Sequence, residues 1–502
     1  MDADFYKIFR DPVHGNICVE NWVCENFVDT DVFQRLRFVE QSSMRLLYPG
    51  ARHDRFIHSL GVFFIAKKIF SIIKSQFKIA GLTERQQTRL YRTFIIAALL
   101  HDCAHSPFSH TGEELAKAYC NQEIERLLKS EVGAGAFKKD FYKRDKESYH
   151  THEMASAYVG CHVYSKELKK CSVDREQFAR MIIGQKNKGE RLSLMRRAYN
   201  CLIPLINGFV VDADRLDYLL RDTWATGVCN SSVDIDRLLS GLSVDVKKGR
   251  ICFRHKALSS LVSAVEARDY IYTWILPHHK VAYASTLLIM ALQALVVELS
   301  RRSKEFGRKK LSELEVGQIL FSPERLLVGK EKCVCDEVIS LPTDGDFIYL
   351  MKKYIPDNTY VRAYLSRKKE FISLWKTYAE FIDIFNVESY KRGVLLEKPF
   401  WDMFDSKVAI YCKNEKDIIC TKTSRVKQTS GDLLAVDIVG PDWTSRSQKC
   451  RQLDPSNLFG EKPGTKYYMY AFIRRSSRGK SQAVVRSLQK IFCDCVDWWR
   501  HQ

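Results

Sequence analysis

Residues 88–110 read TRLYRTFIIAALLHDCAHSPFSH, and this stretch decides the fold. Residues 88–100 carry apolar side chains at helical spacing without Gly or Pro, so they read as a helix that runs directly into His101-Asp102. Neighbouring residues on a helix project about 100° apart. Both can still reach one ion lying beyond the last turn. Two more segments carry matching groups: HDRFIHSLGV (53–62), where His58 opens a helix, and VDADRLDYLLRD (211–222), where Asp214 begins another. A lone His or Asp is more often a cap, a core residue or a surface residue. Two imidazoles and two carboxylates converging from separate elements can hold a hard divalent cation beside a phosphate, with positions left open for water. Such a cation makes hydroxide available near neutral pH and neutralises phosphoryl charge.

Working outward, the first three hundred residues read as mostly helical: 62–77, 180–183, 192–205 and 258–274 continue the pattern. Residues 131–144, rich in small residues and lysine, read as a loop or insertion. The most apolar stretch, 281–297, contains Ser285, Thr286 and Gln293 and is short for a membrane span, so it reads as a buried core helix. Character changes near residue 300. RRSKEFGRKK (301–310) reads as a connector or helix end, and 360–385 as one or two helices. Residues 408–412, 417–423, 433–440 and 467–475 read as strands of period two, and 482–499 as a closing helix.

The chain has 502 residues, 46% of them apolar and 28% charged, which predicts more than one lobe. The expected organisation is 1–300, 301–400 and 401–502. A net charge of +19 attracts polyanions (nucleotides, nucleic acid or acidic membrane) without choosing among them. Sixteen cysteines include the C-x-C pairs Cys333/Cys335 and Cys493/Cys495 but no paired C-x-x-C units of a zinc ribbon. The N-terminus, MDADFYKIFRDPVHG, lacks a signal-peptide pattern, so reduced thiols and a cytoplasmic location, with no membrane partner, are the expectation.

The set His58, His101-Asp102 and Asp214 resembles the signature of the HD phosphohydrolase superfamily. More narrowly, FRDPVHG, FQRLRFVEQ, HDRFIHSLGV, HSPFSHT, THE and VDADRLDYLLRD resemble the deoxynucleoside triphosphate triphosphohydrolase branch. The likeness runs through residue 300, with a weaker echo at SLPTDGDFIYLMKK and in the C-terminal strands. It implies a mainly α fold: a helical HD-domain core with an N-terminal activator-like segment, a helical extension and a smaller α+β C-terminal region. It implies a divalent metal (Mn, Mg, Fe or Zn) on His58, His101, Asp102 and Asp214. Water would attack the α-phosphorus of a nucleoside triphosphate, releasing nucleoside and inorganic triphosphate.

The same resemblance assigns further residues. Positions like His105, His110 and His152 contact phosphate or handle protons in the family. If the helix continued, His105 would lie one turn beyond His101 on the same face. Glu113 stands where an aspartate is usual. Arg55, Arg215 and Arg268 match positions that grip the triphosphate, where a planar guanidinium can bond two oxygens; each could instead be a surface or ion-paired arginine. Asp217 and Arg221, four apart, could simply pair with each other. Gln41, Tyr218 and Asp222 match positions that meet the deoxyribose. Two positions depart from the family: Ser42 replaces a bulkier apolar residue, and Leu276 a common tyrosine. Both alter the filter against a ribose 2′-hydroxyl and leave sugar preference open. Lys7, Asp29, Gln34 and Arg37 match an activator-nucleotide site that bridges subunits, which would make the assembly a tetramer or hexamer. FQRLR can also be an ordinary helix with solvated arginines. Two other readings compete: an HD-type nuclease or phosphodiesterase that uses the basic surface on nucleic acid, and a nucleotide sensor of weak turnover.

Overall fold

The structure, a computed structural model, describes residues 6–500 except 134, 142–149, 209–210, 229–232, 304–309, 328–331, 367–369, 388–396, 416, 428–436, 442–447 and 453–463. It is mainly helical, with small sheets at the N-terminus and in the C-terminal region. An antiparallel hairpin of β1 (Tyr6–Asp11) and β2 (Gly15–Glu20) opens the chain. The helices that carry the site follow: α1 (Arg55–Ile79), α2 (Glu84–Leu100), α3 (Ser109–Val132), α4 (Thr151–Val163) and α5 (Ala213–Thr226).

Local chemistry sets where these helices begin. Asp54 caps α1 by accepting from Ile57 N at 2.9 Å, and Asp212 caps α5 by accepting from Arg215 N at 2.7 Å. Thr83 and Gln86 form a reciprocal capping box at the start of α2. Every residue from Phe94 to Leu100 has 0% exposure, so the last two turns of α2 are apolar on all sides and locked in the core. Each large aliphatic side chain buried there contributes about 1.5–3 kcal/mol. His101 and Asp102 therefore project from a rigid end.

Two apolar clusters organise the chain. One runs from Ile17 to Val361. The other gathers residues between Ala363 and Val496, joined by Leu287 of the long helix α6 (His279–Arg302). α1 and α6 are long and apolar enough to cross a membrane, yet 67% and 44% of their most apolar windows are buried in the protein. The expected core helix at 281–297 is thus buried along one face and continues to Arg302. Beyond it lie α7 (Asp344–Tyr354), α8 (Lys398–Asn414) and α9 (Ser481–Arg500). A three-stranded antiparallel sheet has Gly464–Arg474 at its centre, flanked by Phe371–Ser373 and Ile418–Lys427. Strand Asp437–Pro441 pairs in parallel with Arg250–Arg254, tying the C-terminal region back to the first three hundred residues. The described cysteines are free thiols.

Several expectations are corrected. Residues 408–412 are helical, inside α8. Phe400, Trp401, Phe404 and Val408 are buried at helical spacing, while Ile410 is 63% exposed. A period of two would have put Val408 and Ile410 on one face. The stretch 131–144 is not a loop where it is described: α3 runs to Val132, and Gly135–Phe141 is a short helix with Phe137 and Phe141 buried; 142–144 lie outside the described residues. Within 360–385 a strand, Phe371–Ser373, separates two short helices. Of the strand expected at 433–440, 437–440 are strand and 433–436 lie outside the described residues.

Candidate metal centre and substrate pocket

The three quoted segments meet at one point. His58 Nε2 lies 2.9 Å from Asp214 Oδ1 and 3.7 Å from Asp102 Oδ2. His101 Nε2 lies 3.4 Å from Asp102 Oδ2 and 3.8 Å from Asp214 Oδ1. Ligands about 2.0–2.2 Å from a cation are spaced about 3–4 Å from one another; His58, His101 and Asp102 present donor atoms within 4.8 Å of one another, and Asp214 lies against the two imidazoles at their solvent side. Both Nε2 atoms are buried and make no hydrogen bond of acceptable angle. Asp214, with 37% of its side chain exposed, opens the site toward solvent. Two imidazoles and two carboxylates suit a divalent cation of the Mn, Mg, Fe or Zn kind.

The outer partners fix which nitrogen faces the cluster. His101 Nδ1 donates to Ala98 O at 2.8 Å, leaving Nε2 as the ligating atom. His58 Nδ1 lies 2.7 Å from Asp217 Oδ2. Asp217 in turn accepts two bonds from Arg221, at 2.7 and 2.9 Å, and lies 2.6 Å from His14 Nε2; Arg221 also donates to Asp11. The expected Asp217–Arg221 pair is real, but it serves the metal-facing histidine. Gly61 makes room for it: a Cβ there would lie 1.9 Å from Asp217 Oδ1. Burial works against charge on Asp214, yet the close imidazoles of His101 and His58 hold its carboxyl below the ordinary range. Burial likewise opposes charge on His58, but Asp214 and Asp217 push it up to about 9. The cluster is built to hold positive charge.

His105, His110, Glu113 and His152 form a second group. Glu113 lies 3.1 Å from His110 Nδ1 and 2.7 Å from His152 Nδ1, and the rings of His105 and His152 stack at 4.6 Å. His105 does not share a helical face with His101, because α2 ends at Leu100 and tight turns follow, closed by Cys103 N to Leu100 O and His105 N to Asp102 O. Ser106-Pro107 and two left-handed residues, Phe108 (φ 60°) and Ser109 (φ 52°), then redirect the chain into α3. Burial, with Arg55 nearby, holds His105 well below the usual imidazole range, so it is neutral. Burial also opposes charge on His152, but Glu113 pushes it up to about 9, and Glu113 is held well below the carboxylate range.

A cavity of about 450 Å³ opens beside the four donors, and its wall includes Gln41, Ser42, Arg55, Arg215, Tyr218, Asp222, Arg268 and Leu276. Sequence reasoning did not name Tyr272, Asn207 or His150, which share this wall. Arg55 is 3% exposed and committed to protein: it bonds Asp102 Oδ2, Ser109 Oγ at 2.9 Å and Gln41 O at 3.1 Å. It therefore fixes a metal-facing carboxylate. Asp222 lies 2.8 Å from His53 Nε2, and the Ser42 hydroxyl accepts from Met44 N at 3.2 Å. Arg268 lies over the Tyr272 ring at 4.9 Å. Asp11, His14 and His53 stood in the quoted motifs, but only the tertiary contacts reveal their tasks. The activator-like residues pair locally: Lys7 with Asp29 at 2.5 Å and Arg37 with Gln34 at 2.7 Å, with Arg37 3.6 Å above Phe56.

Residues 55–219 match the HD domain family, and the four donors all lie within that span. The chain is 29% identical over 289 residues to an uncharacterized protein of Methanocaldococcus jannaschii, covering 57% of this chain and 49% of that one. It is 29% identical over 276 residues to the deoxynucleoside triphosphate triphosphohydrolase SAMHD1 homolog of Dictyostelium discoideum, covering 54% and 46%. A shorter stretch of 109 residues is 39% identical to the deoxynucleoside triphosphate triphosphohydrolase SAMHD1 of Gallus gallus, covering 22% and 17%. The chain spans about half the length of the first curated relatives it matches. Among solved structures, it is similar to a hypothetical protein from Aquifex aeolicus (TM-score 0.58, 19% identity, 95% and 99% covered). It is also similar to a phosphohydrolase from Bacteroides thetaiotaomicron (TM-score 0.58, 18% identity, 94% and 100% covered). At these identities the structural likeness is one of fold. The chain carries an HD domain of the phosphohydrolase superfamily. The branch it resembles is that of the deoxynucleoside triphosphate triphosphohydrolases.

Proposed function

We propose that this chain is a metal-dependent nucleoside triphosphate triphosphohydrolase. The observation that carries the reading is that His101, Asp102 and Asp214 line a 450 Å³ cavity, with buried His58 Nε2 2.9 Å from Asp214 Oδ1, and that Arg215 and Arg268 line the same cavity. A cation held by His58, His101, Asp102 and Asp214 supplies Lewis acidity toward a phosphate oxygen and a source of hydroxide near neutral pH. Arg55 orients Asp102, and Asp217 orients His58. Arg215 and Arg268 hold the phosphate chain through paired donors. His152, charged beside Glu113, adds a further donor to phosphate, and His110, 64% exposed, is the group free to give a proton to the departing nucleoside oxygen. A water oxygen bonds to the α-phosphorus and gives up a proton to solvent, the bond from that phosphorus to the nucleoside 5′-oxygen breaks, and the 5′-oxygen takes up a proton, so that no net proton is consumed in the exchange. Nucleoside and triphosphate leave. Gln41, Tyr218 and Asp222 would meet the sugar, with Ser42 and Leu276 setting how much room its 2′ position has.

The test is incubation of the purified chain and Mn²⁺ with separate deoxynucleotide, ribonucleotide and single-stranded DNA substrates. Equal release of nucleoside and inorganic triphosphate is expected. Release of pyrophosphate or single phosphates, shortening of the DNA alone, or retention of intact nucleotide would each overturn the reading. An activator nucleotide at Lys7, Asp29, Gln34 and Arg37, and a tetramer or hexamer around it, belong to the same proposal. Light scattering with and without added nucleotide tests them.

A further inference from the structure

The turn that carries His105 and His110 is held from outside the HD domain. Phe108 and Ser109 are consecutive non-glycine residues in the left-handed region, a conformation that persists only where surrounding contacts impose it. Asp344 supplies such a contact. It is 7% exposed and begins α7, but its carboxylate does not cap that helix, whose own capping box uses Thr343 and Asp346. One oxygen accepts from Phe108 N at 2.6 Å and the other from Glu40 N at 3.0 Å. Phe108 belongs to the histidine turn. Glu40 precedes Gln41, whose carbonyl accepts from Arg55, the arginine that bonds Asp102.

We propose that Asp344 is a positioning residue: one buried carboxylate staples the His105–Ser109 turn to the Glu40–Gln41 segment and so sets the second histidine group in register with the metal donors. Neighbouring contacts share the geometry. Arg35 donates to His105 O at 2.7 Å and to Pro342 O at 2.6 Å, bridging the same turn to the strand of chain that leads into Asp344. Ser109 Oγ donates to Glu40 O and accepts from Arg55. Gly112 keeps the following turn close, since a Cβ there would lie 1.9 Å from Pro107 O. Without the carboxylate, the Phe108 amide is left buried and unpaired. The backbone is then released toward negative φ, carrying His105 and His110 away from their places.

This inference rests on the hydrolytic reading for its kinetic arm only. In Asp344→Ala, metal content per chain stays at the wild-type level and KM changes little, while kcat falls by roughly a hundredfold, the scale of an ångström-level misplacement of catalytic groups. Asp344→Asn keeps one acceptor, gives an intermediate loss, and replaces the alanine variant in the assay if that variant fails to fold. The second arm needs no turnover: with ¹³C-histidine labelling, the His105 and His110 ring resonances, assigned through H105Q and H110Q, shift or broaden in D344N, while that of His255, far along the sequence, stays in place. Unmoved His105 and His110 resonances, or a kcat per metal-loaded chain within twofold of wild type, would overturn the proposal. If the wild-type chain releases no triphosphate but the resonances move as stated, the hydrolytic reading fails and the positioning role stands.

Discussion

Asp217 binds the far side of His58: the carboxylate lies 2.7 Å from Nδ1, and this aims Nε2 at Asp102 and Asp214. The carboxylate is itself fully buried and balanced by Arg221. A histidine oriented and made more basic in this way is a better ligand than a free one. Asp217→Asn should weaken divalent-metal affinity by about 10–100-fold. Competition with a chelator of known affinity reads this directly, and an unchanged dissociation constant would remove Asp217 from the site.

Gly61 offers an independent probe of the same contact. Gly61→Ala puts a methyl group 1.9 Å from Asp217 Oδ1, with helix backbone on one side and a buried ion pair on the other. Overpacking of this kind costs about 1–3 kcal/mol. Chemical denaturation should show that loss together with weaker metal retention, since the displaced oxygen belongs to the carboxylate whose other oxygen lies against His58 Nδ1. Loss of stability with full metal affinity would contradict the coupling.

The two carboxylate ligands should behave differently when removed. Asp102 is buried and bonded to Arg55, so Asp102→Ala leaves a guanidinium short of its counter-charge and should cost on the order of 3 kcal/mol. Asp214 has 37% of its side chain exposed, and Asp214→Ala should cost less than about 1 kcal/mol in the metal-free chain. Both variants should lose hydrolysis. Equal melting temperatures for the two metal-free proteins would count against the Arg55–Asp102 assignment.

His152 gives the expected alkaline limit. It faces Glu113, His105, His110 and His150, with Asp102 and Glu153 near enough to act through charge. Its folded pKa is raised from 6.5 to about 9, so the protonated ring persists through neutral pH and is lost as pH rises through about 9. Activity should fall on that limb. Glu113→Gln removes the main source of the raised value, and the limb should move toward 6.5 in a plot of log kcat against pH. A limb that stays put would place the titration elsewhere.

Leu276→Tyr narrows the cavity wall shared with Ser42 and Tyr272. The ratio of kcat/KM for a deoxynucleotide to that for the matching ribonucleotide should rise, by about 10-fold if one hydroxyl-sized clash of about 1.4 kcal/mol is introduced. An unchanged ratio would show that residue 276 does not meet the sugar.

Much of this architecture was legible in the order of residues because it depends on local rules. The apolar run before His101 can only be a core helix end, and the segments around His58 and Asp214 carry their own caps, Asp54 and Asp212, at the positions where a helix needs a side-chain acceptor. Periodicity failed where the window was short. Residues 408–412 alternate well enough for a strand, but the burial of Phe400, Trp401, Phe404 and Val408 belongs to a longer helix. It failed again at His105, because spacing does not reveal where a helix stops.

The sequence by itself determined the donors: their types, their places at helix starts and ends, and the chemistry they suit. Only the tertiary structure decided which donor each partner serves. His14 and Asp217 stand 203 positions apart, and Phe108 and Asp344 stand 236 apart, and each pair is joined by a single short bond. A bond between such distant residues has no local signature, since it exists only after apolar burial has packed the elements that carry its two ends.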